Sequence, residues 1–111
     1  MAIYSNITID QGSDYSTEIK VTGADGNPAD MTGYLITGQI RKTYASSTST
    51  DFVCSIVNAG GGVVKIALTG GTTNSMKAGR YVYDVEAQNG AGGSVTRIVE
   101  GQVEITPGVT R

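Results

Sequence analysis

Apolar and polar residues alternate with a period of two through most of the chain. That is the pattern of strands with one face in a core and one in solvent. Ile19 and Val21 alternate with Glu18, Lys20 and Thr22, and Phe52, Cys54 and Ile56 share one face of a later run. Val64, Ile66 and Leu68 flank an outward Lys65, while Tyr81, Tyr83, Val85 and Ala87 alternate with Val82, Asp84 and Glu86. Residues 3–9 and 34–42 predict two further strands, the second with Ile36 and Ile40 in phase, and residues 94–106 predict a long last one. The phase of that last run breaks near Arg97-Ile98, and Gly101 sits inside it, so a bulge is expected.

Turn chemistry separates these runs. Ala24-Asp25-Gly26-Asn27-Pro28 joins a turn former, a glycine and a breaker. Residues 58–62 and 89–93, each opening on Asn and rich in Gly, read as hairpin tips. Residues 45–51 are a Ser/Thr-dominated polar loop with no local force to order it. One helical turn is expected at 72–78, with Gly79 as its C-cap. The sum is about seven strands, which predicts an all-β, immunoglobulin-like antiparallel sandwich with one short helical turn. Pro28 falls in a turn and Pro107 after the last strand, so neither removes a ladder donor. No repeat or linker divides the chain, so residues 1–111 are expected to form a single domain.

Composition narrows the function classes. Charged residues are only 16%, below the ~25% usual in soluble domains, so hydroxyls and turns do much of the surface solvation. Net charge is −2, and Lys and Arg are scattered, which leaves no footprint for nucleic acid or an anionic membrane. No apolar run approaches the ~18 residues of a membrane span. The opening Met1-Ala2-Ile3-Tyr4 lacks the basic start and apolar stretch of a signal peptide. A complete gene product made in a cytoplasm is expected.

Histidine is absent, which removes the commonest general base and metal ligand. Cys54 is the one cysteine, so no intrachain disulfide can form, and its alternating face predicts a buried, inert thiol. The glycine-rich turns lack the following Lys-Ser/Thr of a phosphate loop. Asp25, Asn27 and Asp30, or Asp10 with Asp14, have the spacing of calcium ligands but supply too few oxygens alone. Turn-stabilising bonds are the expected role. Asp84 with Glu86, and Glu100 with Glu104, read as solvated strand faces rather than a glycosidase pair. No catalytic, cofactor-binding or metal residues are therefore expected, and no small-molecule substrate. The stretch Ala78-Gly79-Arg80-Tyr81-Val82-Tyr83 resembles the tyrosine corner of immunoglobulin-like domains, with Tyr81 as the corner residue and Tyr83 where a disulfide cysteine would lie.

Taken in order, further motifs carry a wider resemblance: Gly12-Ser13-Asp14, the turn through Asp25-Gly26-Asn27-Pro28-Ala29-Asp30-Met31-Thr32-Gly33, and Ile40-Arg41-Lys42. After them come residues 63–69, then 76–85, then Glu100-Gly101-Gln102-Val103-Glu104-Ile105-Thr106-Pro107-Gly108-Val109-Thr110-Arg111. This succession resembles the small β-sandwich structural proteins of tailed bacteriophage particles. These include the N-terminal domains of baseplate upper proteins and the immunoglobulin-like virion proteins of T4-like and cyanobacterial phages. The resemblance implies a non-enzymatic virion protein of baseplate, tail, neck or capsid decoration, assembled in the host cytoplasm. Its partners would be copies of itself and other virion proteins. One end of the chain, residues 1–9 or residues 106–111, is expected to contribute to an intersubunit contact by strand addition or exchange, because the run at 3–9 has no fixed hairpin partner. An alternative is a carbohydrate- or receptor-binding sandwich, for which Tyr15 and Tyr44 are the candidate contact aromatics.

Overall fold

A computed structural model describes residues 3–23, 26–90 and 92–108. The strands are β1 (Ile3–Tyr4), β2 (Ile7–Asp10), β3 (Tyr15–Lys20), β4 (Tyr34–Arg41), β5 (Thr50–Asp51), β6 (Val53–Asn58), β7 (Val63–Leu68), β8 (Gly79–Asn89) and β9 (Val95–Thr106), with one helix, α1 (Gly70–Ser75). The larger sheet has the order β1-β9-β8-β4-β5, with β2 also on β9, and the smaller has the order β3-β7-β6. Two of the nine strands are continuations. β1 and β2 form one edge interrupted at Ser5-Asn6, and β5 and β6 form one run that changes sheets at Phe52. Seven runs therefore make an immunoglobulin-like sandwich, as the alternation predicts.

Period-two burial explains why these segments are strands. On β7 the residues Val64, Ile66 and Leu68 are buried, and on β8 Tyr83, Val85 and Ala87 are buried. Ile9, Ile40, Val103 and Ile105 complete the larger sheet's inner face. Each fully buried aliphatic side chain contributes about 1.5–3 kcal/mol. Phe52 makes the sheet switch possible. Its ring is buried between the sheets, and its N–H donates to the Gly38 carbonyl at 2.9 Å.

The N-terminal run differs from expectation in one respect. It has a partner in its own chain, lying parallel on β9 with Ile3 opposite Val99, Ile7 opposite Val103 and Ile9 opposite Ile105. That register turns Ile9 into the core. The strand remains an edge, since β9 is its one neighbour in the sheet. Of the C-terminal tail, residues 109–111 lie outside the described residues.

The expected bulge is present where the phase breaks. Val85 faces Val99 and Glu86 faces Arg97, which leaves Ile98 as the extra residue, buried beside Val99. Gly101 is not part of it, being in register with Tyr83. Its role is steric, because a Cβ there would collide with the Ser5 carbonyl that crosses above it.

The helix starts two residues earlier than expected and does not use Gly79 as a C-cap. Thr69 fixes the start, its hydroxyl accepting from the Thr72 N–H at 3.3 Å. Met76 ends the helix in an extended conformation because its side chain is drawn into the core. Gly79 instead opens β8 with φ 142°, a conformation that favours glycine. Thr73 ties the helix to the β2–β3 turn. Its Oγ1 accepts from the Gly12 N–H at 3.0 Å and lies 2.8 Å from the Ser13 carbonyl that it donates to.

Candidate interaction surface

The outward residues of the larger sheet form rows across its strands, fixed by the pairing register. Leu35, Gln88 and Val95 make one row, Thr37, Glu86 and Arg97 the next, and Gln39, Asp84 and Glu100 a third that Asp51 extends. Arg97 bridges the last two. Its Nε lies 3.4 Å from Asp84 and its Nη1 lies 3.7 Å from Glu100. The pair Asp84 and Glu86 thus lies on a strand face, as expected, with a guanidinium against one member.

Next to these rows the β4–β5 loop is ordered by polar contacts rather than by burial. The Arg41 guanidinium donates to the Ser46 carbonyl at 2.6 Å and to Gln39 Oε1 at 2.9 Å. Ser46 closes a turn, its N–H donating to the Thr43 carbonyl at 3.1 Å and its Oγ accepting from the Thr43 N–H at 3.1 Å. Tyr44 stands at the tip with 77% of its surface exposed. Below it lies a shallow depression of about 210 Å³ bordered by Gln39, Arg41, Val82, Asp84 and Arg97. A second of about 370 Å³ adjoins it, sharing Gln39 and Asp84 and reaching Thr37, Asp51 and Glu86. The two make one open, polar trough with an aromatic ring at one end.

The other expected residues have separate places. Asp10 Oδ1 accepts from the Thr106 hydroxyl at 2.7 Å, and Asp14 Oδ1 accepts from the Gly70 N–H at 2.6 Å. Asp30 Oδ1 accepts from the hydroxyl and the N–H of Thr32, which together hold its carboxyl below the usual range. Only the Asp30 bonds are the expected turn-stabilising kind. Asp10 instead ties β2 to β9, and Asp14 ties the segment before β3 to the start of α1. Among the described residues no three His, Cys, Asp or Glu side chains are grouped to share a metal ion. Asp25, part of the calcium reading, lies outside the described residues. Cys54 is half-buried rather than fully buried. Burial, and secondarily the Asp51 charge, push its thiol pKa up.

Tyr81 is the corner residue that the sequence indicates, its hydroxyl donating to the Lys77 carbonyl at 2.6 Å. Lys42 Nζ sits 4.7 Å above its ring. Tyr83 is buried edge-on to Phe52, with ring centroids 6.0 Å apart. Of the two candidate contact aromatics, Tyr15 packs against the core and only Tyr44 is exposed. Sequence reasoning missed Gln39, Arg41 and Ser46. The outward phase of Gln39 and Arg41 beside a serine-rich loop is the signal that was there.

Fold and corner together define an all-β sandwich of the immunoglobulin-like class. No family model matches the chain, and no curated protein matches it. Among solved structures it is similar to part of a family 123 glycoside hydrolase from Clostridium perfringens, described for glycolipid glycan hydrolysis. That likeness has 11% identity and a TM-score of 0.44, over 97% of this chain and 24% of that one. The chain thus spans about a quarter of that enzyme's length.

Proposed function

We propose that this chain is a non-enzymatic structural protein of a tailed-bacteriophage particle, acting through contacts with copies of itself and with other virion proteins. The ordered succession of turns and strand entries, which resembles that group, motivates the reading. The observation that carries it is the pattern of outward apolar side chains. Leu35 and Val95 flank Gln88 on the larger sheet, and Val53 and Val57 point outward from β6 on the smaller one. Each of these four is more than half exposed. β3 and β6 each pair with β7 and form the two edges of the smaller sheet. Solvated apolar pairs beside strand edges are the elements from which subunit contacts are made.

Mass spectrometry of purified particles tests the location, and the expected result is this chain in stoichiometric amounts. Light scattering during size-exclusion chromatography tests the contacts. Association should weaken when Val53→Lys and Val57→Lys are combined, with the far-UV spectrum unchanged. A chain absent from particles, or one monomeric at all concentrations, overturns the corresponding part of the reading.

A further inference from the structure

The structure assigns a second role to the trough beside Tyr44: we propose that it binds a neutral oligosaccharide. The role is independent of particle assembly and rests on three properties of the site.

The first is an aromatic platform. Tyr44 is a large side chain with 77% of its surface exposed, on a loop that three hydrogen bonds hold in one conformation. Exposing an aromatic ring costs solvation, and a disordered serine-rich loop would spare that cost by letting the ring fold back. Here Arg41 and Ser46 keep the turn open instead. The C–H face of a pyranose ring is the complement of such a platform, since it is apolar on one side and hydroxylated at its rim.

The second property is the lining. Gln39 offers an amide donor and acceptor, Asp84 accepts, and Thr37 has a hydroxyl. Vicinal sugar hydroxyls, each both donor and acceptor, match a mixed set of this kind. The set is also preordered, because Arg41 holds Gln39 and Arg97 holds Asp84. Little side-chain entropy then remains to be lost on binding. The trough is shallow and open, which suits a chain of sugars lying across a sheet better than a buried small molecule.

The third is the sign of the charge. Asp51, Asp84 and Glu86 border the larger depression, and among the described residues no cation lines it. Arg97 is already engaged by two carboxylates. A carboxylated or sulfated sugar reaching into the larger depression would face those three carboxylates, while Arg41 at the Tyr44 end is already taken up by Gln39 and the Ser46 carbonyl, so the trough favours uncharged glycans.

The test uses the full chain labelled with nitrogen-15, titrated with cellotriose, maltotriose and N,N′-diacetylchitobiose, and in parallel with 3′-sialyllactose and trigalacturonate. Amide shifts at Gln39, Tyr44 and Asp84 with at least one neutral sugar, at an affinity on the order of millimolar, are the expected result. The anionic sugars should give none. Tyr44→Ala should weaken binding by up to about tenfold, the range of one aromatic contact, while the melting temperature stays put because the ring is solvated. No shifts with any neutral sugar, tighter binding of the anionic ones, or unchanged binding by Tyr44→Ala would each overturn the assignment.

Discussion

The Tyr83 hydroxyl donates to the Ser5 carbonyl at 2.6 Å, joining the middle of the larger sheet to the link between β1 and β2 across 78 positions of sequence. Around this bond the backbone is also fixed. The Ser5 N–H donates to the Glu100 carbonyl at 2.8 Å, and Asn6 Oδ1 accepts from the Gln102 N–H at 3.0 Å. The interruption between β1 and β2 is therefore a bonded crossing. It lets one edge run past a buried phenol and satisfy it.

Two changes at this crossing should be less than additive. Tyr83→Phe keeps the ring against Phe52 and removes one hydrogen bond, which costs about 1 kcal/mol because the exposed Ser5 segment can turn to water. For a domain of this size that lowers the melting temperature by about 4–8 °C. Deleting residues 1–5 instead strands a buried hydroxyl, at about 1–3 kcal/mol for the unsatisfied group alone. In a Tyr83→Phe background the same deletion should cost less, since no hydroxyl is left to strand. Urea denaturation of the four proteins checks this, and strictly additive losses would contradict the crossing as described.

Alkaline pH should weaken the fold through the same residue. Burial raises the Tyr83 pKa, and burial likewise raises that of Tyr15. A phenol with a raised folded pKa keeps its proton after the unfolded chain has released it. The folded state thus loses relative stability as pH climbs from the ordinary tyrosine value, about 10, through the folded value, and nothing is lost below. The difference in urea midpoint between the natural chain and Tyr83→Phe should shrink above pH about 10. A difference that grows with pH would be the wrong sign.

The sandwich was legible in the sequence because alternation reports a half-buried strand directly. The Ile98 bulge and the Tyr81 corner fall on residues whose phase or spacing marks them. The sheet change at Phe52 does not, because Phe52 stays in phase with Cys54 and Ile56 and the strand at Thr50–Asp51 reads as the end of a polar loop. The parallel lie of the first run was not legible. Ile3 and Ile9 show that a strand exists, but a pairing across some 95 positions leaves no local mark. The helix start was misplaced because Thr69 resembles its Thr neighbours until the cap bond to Thr72 is seen. The trough was missed for a related reason. A Ser/Thr loop reads as unordered, and the Arg41 bond that orders it joins residues whose distance apart a sequence does not give.

Gly101→Ala should be costly although the position lies in regular strand. The added methyl has no space in front of it, since the Ser5 carbonyl and its carbon occupy that volume and are fixed by the bonds to Tyr83 and Glu100. Something must yield, and the exposed edge is less firmly held than β9, which is paired on both sides. The substitution should lift β1 off and destabilise the domain by about 1–3 kcal/mol, as overpacking does. Hydrogen exchange checks the mechanism. The Ser5 amide should lose protection while those of Val85 and Val103 keep theirs, and uniform loss would mean global strain instead.

Cys54 should be slow toward thiol reagents for an electrostatic reason that one substitution can divide. Its side chain is half-buried, its Sγ lies 3.7 Å from the Phe52 carbonyl, and burial raises its pKa more than the Asp51 charge does. The thiolate is the reacting species, so at pH 7.5 the chain should label more slowly than a free cysteine, with its rate still rising at pH 9. Asp51→Asn removes the smaller of the two causes and should speed labelling by a factor of a few. Unfolding in urea removes both and should speed it further. The order native, Asp51→Asn, unfolded is the expected one with Ellman's reagent. If the native rate equals that of the unfolded chain, the thiol is freely exposed and the packing assigned to β6 is wrong.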